Sequence, residues 1–383
     1  MKILFVLNTF YCEGNGLSAS ARRTVAALRE AGQEVRVLSG PNEKPGGPQP
    51  EYKLKNFYFP FFQPIIEANG YHFASTDKKL VEEAVRWADV VHMEDPFVLE
   101  IKTEKIARRL GKPVTGTYHL HPENIFCSLL FGRWKFPNQL LLNALQKLCY
   151  DKWDFVQCPT QNVLQRLQNN HCKSELRAIS NGIVPDPCIR VPHSENHPYI
   201  VACIGRFSAE KDQKTLLKAM KHCAHAREIQ LVFAGKGTQA CKLKNMAAGL
   251  YKSGVLAYEP VFDFLDRDGL RQLAAKADLC IHCATIEVEG LSIMEAMQQG
   301  AVPVIASGPI TAADQFALDD RSRFPQGDYK ELAAKIDWWL DHPQEREAMS
   351  PQYIAQMEKY SIQYSAREMI KMFQDAIDRN HPA

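Results

Sequence analysis

The chain holds 383 residues, 45% hydrophobic and 23% charged, with a formal net charge of +2. That length exceeds one compact core and asks for two domains, and the composition excludes a disordered polymer. A charge so near zero, with no basic run threaded by aromatics, excludes nucleic acid as a partner.

The charge is unevenly shared: residues 1–190 carry 24 Lys and Arg against 19 Asp and Glu, and the remainder 22 against 25. A basic first half is compatible with an anionic surface. Eleven scattered cysteines predict reduced thiols in a cytosolic protein rather than a disulfide framework. The apolar start Met1–Leu7 is too short for a signal segment, and no run approaches the ~20 apolar residues that cross a bilayer. Membrane contact is therefore expected to be peripheral.

In chain order, strands are predicted at Lys2–Leu7, Glu34–Leu38, Ala88–His92, Pro113–Tyr118 and Phe155–Cys158, with a helix at Ser18–Arg29 that Gly32 stops. Residues 186–198 contain three of the four prolines between Pro185 and Pro198 and read as a linker. Beyond it come strands at Tyr199–Ile204, Ile229–Ala234, Asp278–Cys283 and Val302–Ala306. Helices at Lys214–His222, Asp268–Ala275 and Ser292–Gln299 separate them. Strands alternating with helices imply parallel sheets built from βαβ units. Ser365-Ala366-Arg367-Glu368 reads as a capping box opening a last helix at about 365–380. The predicted division is 1–185, a linker at 186–198, and 199–364, with the last helix returning to the first domain. Two doubly wound domains with a cleft between them are the simplest architecture.

Three segments carry chemistry. Gly205-Arg206-Phe207-Ser208-Ala209-Glu210-Lys211 leaves a strand end with two cations, suited to a diphosphate. Gly235-Lys236-Gly237 closes the next strand with a turn that a ligand can approach closely. Glu287 and Glu295 bracket Gly290, Leu291 and Ser292, where a strand end passes through a glycine turn into a helix. There the acids would accept hydroxyl hydrogen bonds and the helix N-terminus would take negative charge.

In this order the three segments resemble glycosyltransferase family 4, and Gly300-Ala301-Val302-Pro303-Val304 continues the match. The resemblance implies the GT-B fold, with the acceptor on the first Rossmann-like domain and a nucleotide-sugar on the second. It implies that Arg206 and Lys211 grip the donor diphosphate. Glu287 would touch the sugar hydroxyls, Gly290 and Leu291 would offer backbone N–H groups, and Glu295 would hold the ribose. Val288 and Glu289 depart from the Gly and Phe that the family often carries. Gly14-Asn15-Gly16 falls where the family has a glycine loop near the donor phosphates, so Gly16 joins the donor set.

Thr117-Tyr118-His119 resembles the family's active-site histidine position, making His119 the first candidate beside the sugar and His121 the reserve. The resemblance also implies retention of configuration by front-face transfer, and no essential metal or other cofactor. A dinucleotide fingerprint at Gly14, Gly16 and Ala19 is the rival reading. It wants an acid ending the second strand, whereas Glu34 begins it. His119 with His121 lacks a third metal ligand, and Asp266 reads as a helix cap.

Phe57, Tyr58, Phe59, Phe61 and Phe62, then Ile125–Leu130 with Phe126 through Phe136–Tyr150, form apolar stretches, the second carrying Arg133, Lys135 and Lys147. Exposed, they would suit a lipid acceptor on an anionic membrane; packed, they would be core. His119-Leu120-His121-Pro122-Glu123-Asn124, the Glu287-Val288-Glu289-Gly290 variant and Gln315–Asp320 resemble bacterial diacylglycerol hexosyltransferases. The expected reaction is hexose transfer, glucose or galactose, from a UDP-sugar to diacylglycerol or ceramide. The enzyme would sit on the cytoplasmic face of the membrane. A glycan acceptor, an NAD-dependent oxidoreductase and a non-catalytic lipid-binding protein remain alternatives.

Overall fold

Two parallel sheets organise the chain, which divides into one unit of Met1–Pro122, Trp134–Val184 and Ile362–Ala383 and another of Glu123–Arg133 and Pro185–Ser361. The computed structural model describes all residues except 13–15, 60–62, 64–66, 68–70, 128–134, 195–196 and 381–383. For residues 126, 127, 135 and 136 it describes the backbone alone.

The first unit's main sheet has seven strands in the order Tyr52–Lys53, Glu34–Ser39, Lys2–Val6, Val90–Met93, Val114–Thr117, Phe155–Cys158, Glu175–Ala178. All pairings in that sheet are parallel, and a separate antiparallel pair joins Asn56–Phe57 to Phe73–Ala74. The central strands are buried along nearly their whole length, as expected where helices cover both faces. The chain runs outward from Lys2–Val6 in one direction, then returns to its other side at Val90–Met93. Their carboxyl ends therefore form the switch point where such sheets bind ligands.

One helix packed on this sheet comes from the far end of the chain. Ile362–Asn380 buries Ile362, Ala366, Met369, Met372, Phe373 and Ala376, a single stripe at helical spacing. The stripe joins a core with Ile3, Phe5, Val25, Leu28, Val90 and Phe155. The helix begins at Ile362, whose N–H donates to Ile183 O at 2.8 Å. Ser365 is thus buried inside the helix, and the expected capping box does not form. Tertiary anchoring to Ile183 sets the start three residues earlier.

The second unit's six strands are also parallel, in the order Val261–Asp263, Ile229–Ala234, Tyr199–Ile204, Leu279–His282, Val302–Ser307, Arg323–Pro325. Their switch point lies between Tyr199–Ile204 and Leu279–His282. The segment read as a linker is bound to this unit. Ile189 N–H donates to Gln299 Oε1 at 3.1 Å, Val191 N–H donates to Ala275 O at 2.9 Å, and the His193 ring stacks on Tyr199 at 4.3 Å. Its prolines set an extended course, and the Ile189 and Val191 N–H groups find partners on the second sheet's flank.

The ten described cysteines are all free. Among the described residues no helix is long and apolar enough to cross a membrane.

Candidate active site

At the second unit's switch point, the loop after Tyr199–Ile204 and the loop after Leu279–His282 bring Lys211 and Glu287 together. Lys211 Nζ donates to Glu287 Oε2, and His282 Nε2 lies 3.1 Å from the same oxygen. Burial pushes the Glu287 carboxyl up, but the Lys211 charge and the His282 contact outweigh it and hold it well below the usual carboxylate range. Glu287 is thus a fixed anion and hydrogen-bond acceptor at the sheet's edge.

Three residues on, Gly290 caps the helix Leu291–Gln298 with φ +100°. A Cβ there would stand 2.9 Å from that of Ala313, so the turn requires glycine. Leu291 and Ser292 open this helix, and Ser292 Oγ donates to Ile204 O at 3.3 Å. Its first N–H groups, at the carboxyl edge of the sheet, provide an anion cradle beside Lys211. Glu295 lies one turn into the helix and is partly exposed, while Glu289 is buried in the turn.

Arg206 is placed differently from Lys211. Its side chain is 51% exposed, 3.5 Å from Glu210 Oε1. It is a screened surface cation at the mouth of the loop, where Lys211 is enclosed. Gly235 and Gly237 also take a meaning other than ligand approach. A Cβ on Gly235 would stand 2.0 Å from Gly205 O, and one on Gly237 2.4 Å from Phe207 O. What approaches these glycines is the neighbouring loop's own backbone, with Phe207 N–H donating to Lys236 O at 2.9 Å. Lys236 is exposed, its ammonium 4.2 Å from the centroid of the Phe264 ring.

The first unit's switch point holds His119. Its Nε2 lies 2.6 Å from Glu94 Oε2, and Glu94 Oε1 lies 3.1 Å from His92 Nε2. Burial pushes the Glu94 carboxyl up, but the His119 charge and hydrogen bond, joined by those of His92, bring it down to about 2. Next to it, Asn8 binds Asp95 and Glu100: its backbone N–H donates to Asp95 Oδ2 at 3.1 Å, and its Nδ2 to Glu100 Oε1 at 3.0 Å. Burial raises both of these carboxyls, and Asp95's charge raises Glu100 further. Asn8 Oδ1 accepts from Ala74 N–H at 3.0 Å, which ties the loop after the first strand to its surroundings.

The remaining candidates divide between surface and interior. Gly16 starts the helix Gly16–Glu30 and is exposed, while Gly14 falls outside the described residues. His121 is fully buried, its Nδ1 3.0 Å from both Tyr118 Oη and Arg166 Nη1. That packing removes it from an acceptor surface. Phe57 is 47% and Tyr58 59% exposed. Phe59 is half-buried, its ring centroid 4.8 Å from that of Phe57 and 5.1 Å from that of Phe73. Phe61, Phe62 and the Phe126 side chain fall outside the described residues. Asp266 caps Arg267–Lys276, accepting from Gly269 N–H at 2.8 Å. Glu34 opens its strand and is exposed, so the acid that a dinucleotide site wants is not at the strand's end.

Sequence reasoning missed His282, Glu94 and His92. His282 and His92 lay within apolar strands, where a polar residue inside the run was the available signal, and Glu94 follows the strand Val90–Met93.

Comparison with known proteins agrees with this construction. Residues 14–187 match the model described as Glycosyltransferase Family 4, and residues 189–355 that described as Glycosyl transferases group 1. The chain belongs to this glycosyltransferase family. The sulfoquinovosyl transferase SQD2 of Arabidopsis thaliana is 23% identical, covering 93% of this chain and 70% of that protein. The alpha-monoglucosyldiacylglycerol synthase of Streptococcus pneumoniae is 24% identical, covering 80% and 71%. Among solved structures, Anabaena Alr3699/HepE in complex with UDP-glucose has a TM-score of 0.69 at 16% identity, covering 98% of this chain and 100% of that one. The fold is GT-B.

Proposed function

We propose that the protein is a retaining hexosyltransferase, moving glucose or galactose from a UDP-sugar to the hydroxyl of a membrane lipid such as diacylglycerol or ceramide. The reading rests on one observation: Lys211, Glu287 and the N-terminus of Leu291–Gln298 meet at the second sheet's switch point. A diphosphate there is met by Lys211 and helix N–H groups, with Arg206 at the mouth. Glu287 accepts from the sugar's hydroxyls, and Glu295 from the ribose.

The bond from the anomeric carbon to the diphosphate oxygen breaks as the acceptor oxygen bonds on the same face. The departing diphosphate takes the acceptor's proton. Catalysis then comes from stabilising that leaving group and holding the acceptor in line, with no enzymic nucleophile and no metal required. Support for UDP-glucose comes from the ligand of the Anabaena structure, and support for a lipid acceptor from the name of the streptococcal relative. The exposed Phe57 and Tyr58 support an apolar edge for a lipid surface; in this reading the enzyme works at the cytoplasmic face of a bacterial membrane.

A donor panel offered with membrane lipid extract tests the proposal, with product mass and anomeric NMR as readouts. An α-hexosyl lipid is expected from UDP-glucose or UDP-galactose. Transfer only to water-soluble glycans, or an inverted product, would overturn it.

A further inference from the structure

His282 is buried at the last position of the strand Leu279–His282, where it pairs with Ile305 of the next strand. A polar ring enclosed there needs a partner, and its Nε2 lies 3.1 Å from Glu287 Oε2. Glu287 is held ionised, and an ionised carboxylate only accepts, so His282 Nε2 carries the proton of this contact. The backbone of Glu287 is fixed by other means: its N–H donates to Ile310 O at 2.9 Å, and its carbonyl accepts from Ala312 N–H at 3.0 Å. Only the rotation of its side chain is left to be set. Among the described residues, both hydrogen bonds on the carboxylate, from Lys211 and from His282, fall on Oε2, and Oε1 has none. The side chain is partly exposed, so one oxygen is anchored and the other is open to a ligand hydroxyl. The two anchors are unlike. Lys211 is a point charge on a flexible stem and turns towards whichever anion is strongest, whereas His282 is a flat ring held by a buried strand. A diphosphate carries more charge than one carboxylate and draws Lys211 to itself.

We propose that His282 is a positioning residue for donor-sugar recognition: it keeps hold of Glu287 Oε2 while Lys211 turns to the diphosphate, so that Oε1 faces the sugar hydroxyls. The inference rests on the donor placement proposed above and deepens it. Sugar contact and phosphate contact then have separate anchors, and filling the phosphate cradle does not release the carboxylate that orients the sugar.

The test compares wild type, His282→Leu, His282→Gln and Glu287→Ala in the full chain. Isothermal titration measures UDP and UDP-glucose separately, and steady-state kinetics use UDP-glucose with diacylglycerol vesicles. Proton NMR of the 15N-histidine-labelled chain follows the ring N–H groups without ligand, and His282→Gln identifies the signal. In the wild type a slowly exchanging His282 N–H, shifted downfield by the carboxylate, is expected, and Glu287→Ala is expected to move it. His282→Leu is expected to lower kcat by about 10- to 100-fold, as for a misaligned group at a reacting centre, with UDP affinity within about twofold. Its preference for UDP-glucose over UDP should fall by about 3- to 10-fold, the worth of one hydrogen bond. His282→Gln, whose amide N–H reaches towards the same oxygen, is expected to recover most of both losses, whereas a role in packing alone would favour the leucine.

Normal kcat with an unchanged UDP-glucose preference in His282→Leu would overturn the role of His282, as would equal losses in His282→Leu and His282→Gln. A ring N–H that ignores Glu287→Ala would overturn it even if His282→Leu failed to fold. Wild-type protein that bound neither UDP nor UDP-glucose would overturn the donor reading itself, and this role with it, whatever the ring N–H showed.

Discussion

Glu94 and Glu287 occupy equivalent places, one at the switch point of each parallel sheet, and each is held by two nitrogen bases. Burial opposes ionisation at both, and the partners prevail at both. The partners differ in kind. Glu287 faces a lysine ammonium, a permanent charge at neutral pH, together with His282. Glu94 faces two histidines, His119 and His92, which carry charge only when protonated. One unit thus has a fixed ion pair suited to an anionic ligand, and the other a directional array suited to recognising hydroxyls. Two similar frames have been given different chemistry by the first residues after their central strands.

Removing either acid should separate the two roles. Glu287→Ala is expected to lower kcat by about 100- to 1,000-fold, as for loss of a preorganised contact at a reacting centre. UDP affinity should be spared, because Lys211 remains. Isothermal titration with UDP beside turnover measures this, and near-normal turnover would remove Glu287 from the sugar site.

Glu94 should show itself in acid. Its carboxyl lies at about 2 in the folded chain against 4.5 ordinarily. Its contribution is therefore complete above pH 4.5 and is lost as pH falls towards 2. Urea unfolding should show wild type more stable than Glu94→Gln by up to about 3 kcal/mol at pH 6. The gap should close on acidification, and a gap constant between pH 6 and pH 3 would contradict the assignment.

The two cations of the donor loop should be unequal. Lys211→Ala is expected to weaken UDP binding by about 10- to 100-fold, the worth of one sheltered charge-assisted contact. Arg206→Ala, exposed and screened, should cost less. Equal losses would mean that Arg206 folds over the ligand. The smallest effect concerns the turn: Gly290→Ala should destabilise by about 1–2 kcal/mol through its left-handed backbone and the Ala313 contact. A melting temperature equal to wild type would show that the turn relaxes freely.

Much of the frame was legible in the residues. Phe155–Cys158, Tyr199–Ile204 and Ile229–Ala234 match their predicted bounds because short apolar runs between breakers suit strands buried on both faces. Edge strands of two or three residues, such as Tyr52–Lys53 and Arg323–Pro325, carry too little pattern to be seen. In the second unit, Lys211, Gly290 and Glu287 were found because strand-end chemistry is local in sequence. The His92–Glu94–His119 array was not, since its members come together only through strand register. Gly235 and Gly237 were noticed for a ligand's approach, and the structure adds a neighbouring backbone that also requires glycine there.

The helix Ile362–Asn380 has a consequence for synthesis. Its apolar stripe completes a core whose other members lie mostly before residue 180, with the second unit's Pro185–Ser361 made in between. On the ribosome, the lobe begun first waits with an open apolar flank until the codons for Ile362–Asn380 are read. The lobe begun second can close before it. A nascent chain stalled near codon 361 should thus hold one finished lobe and one chaperone-dependent one, in the reverse of their order of birth.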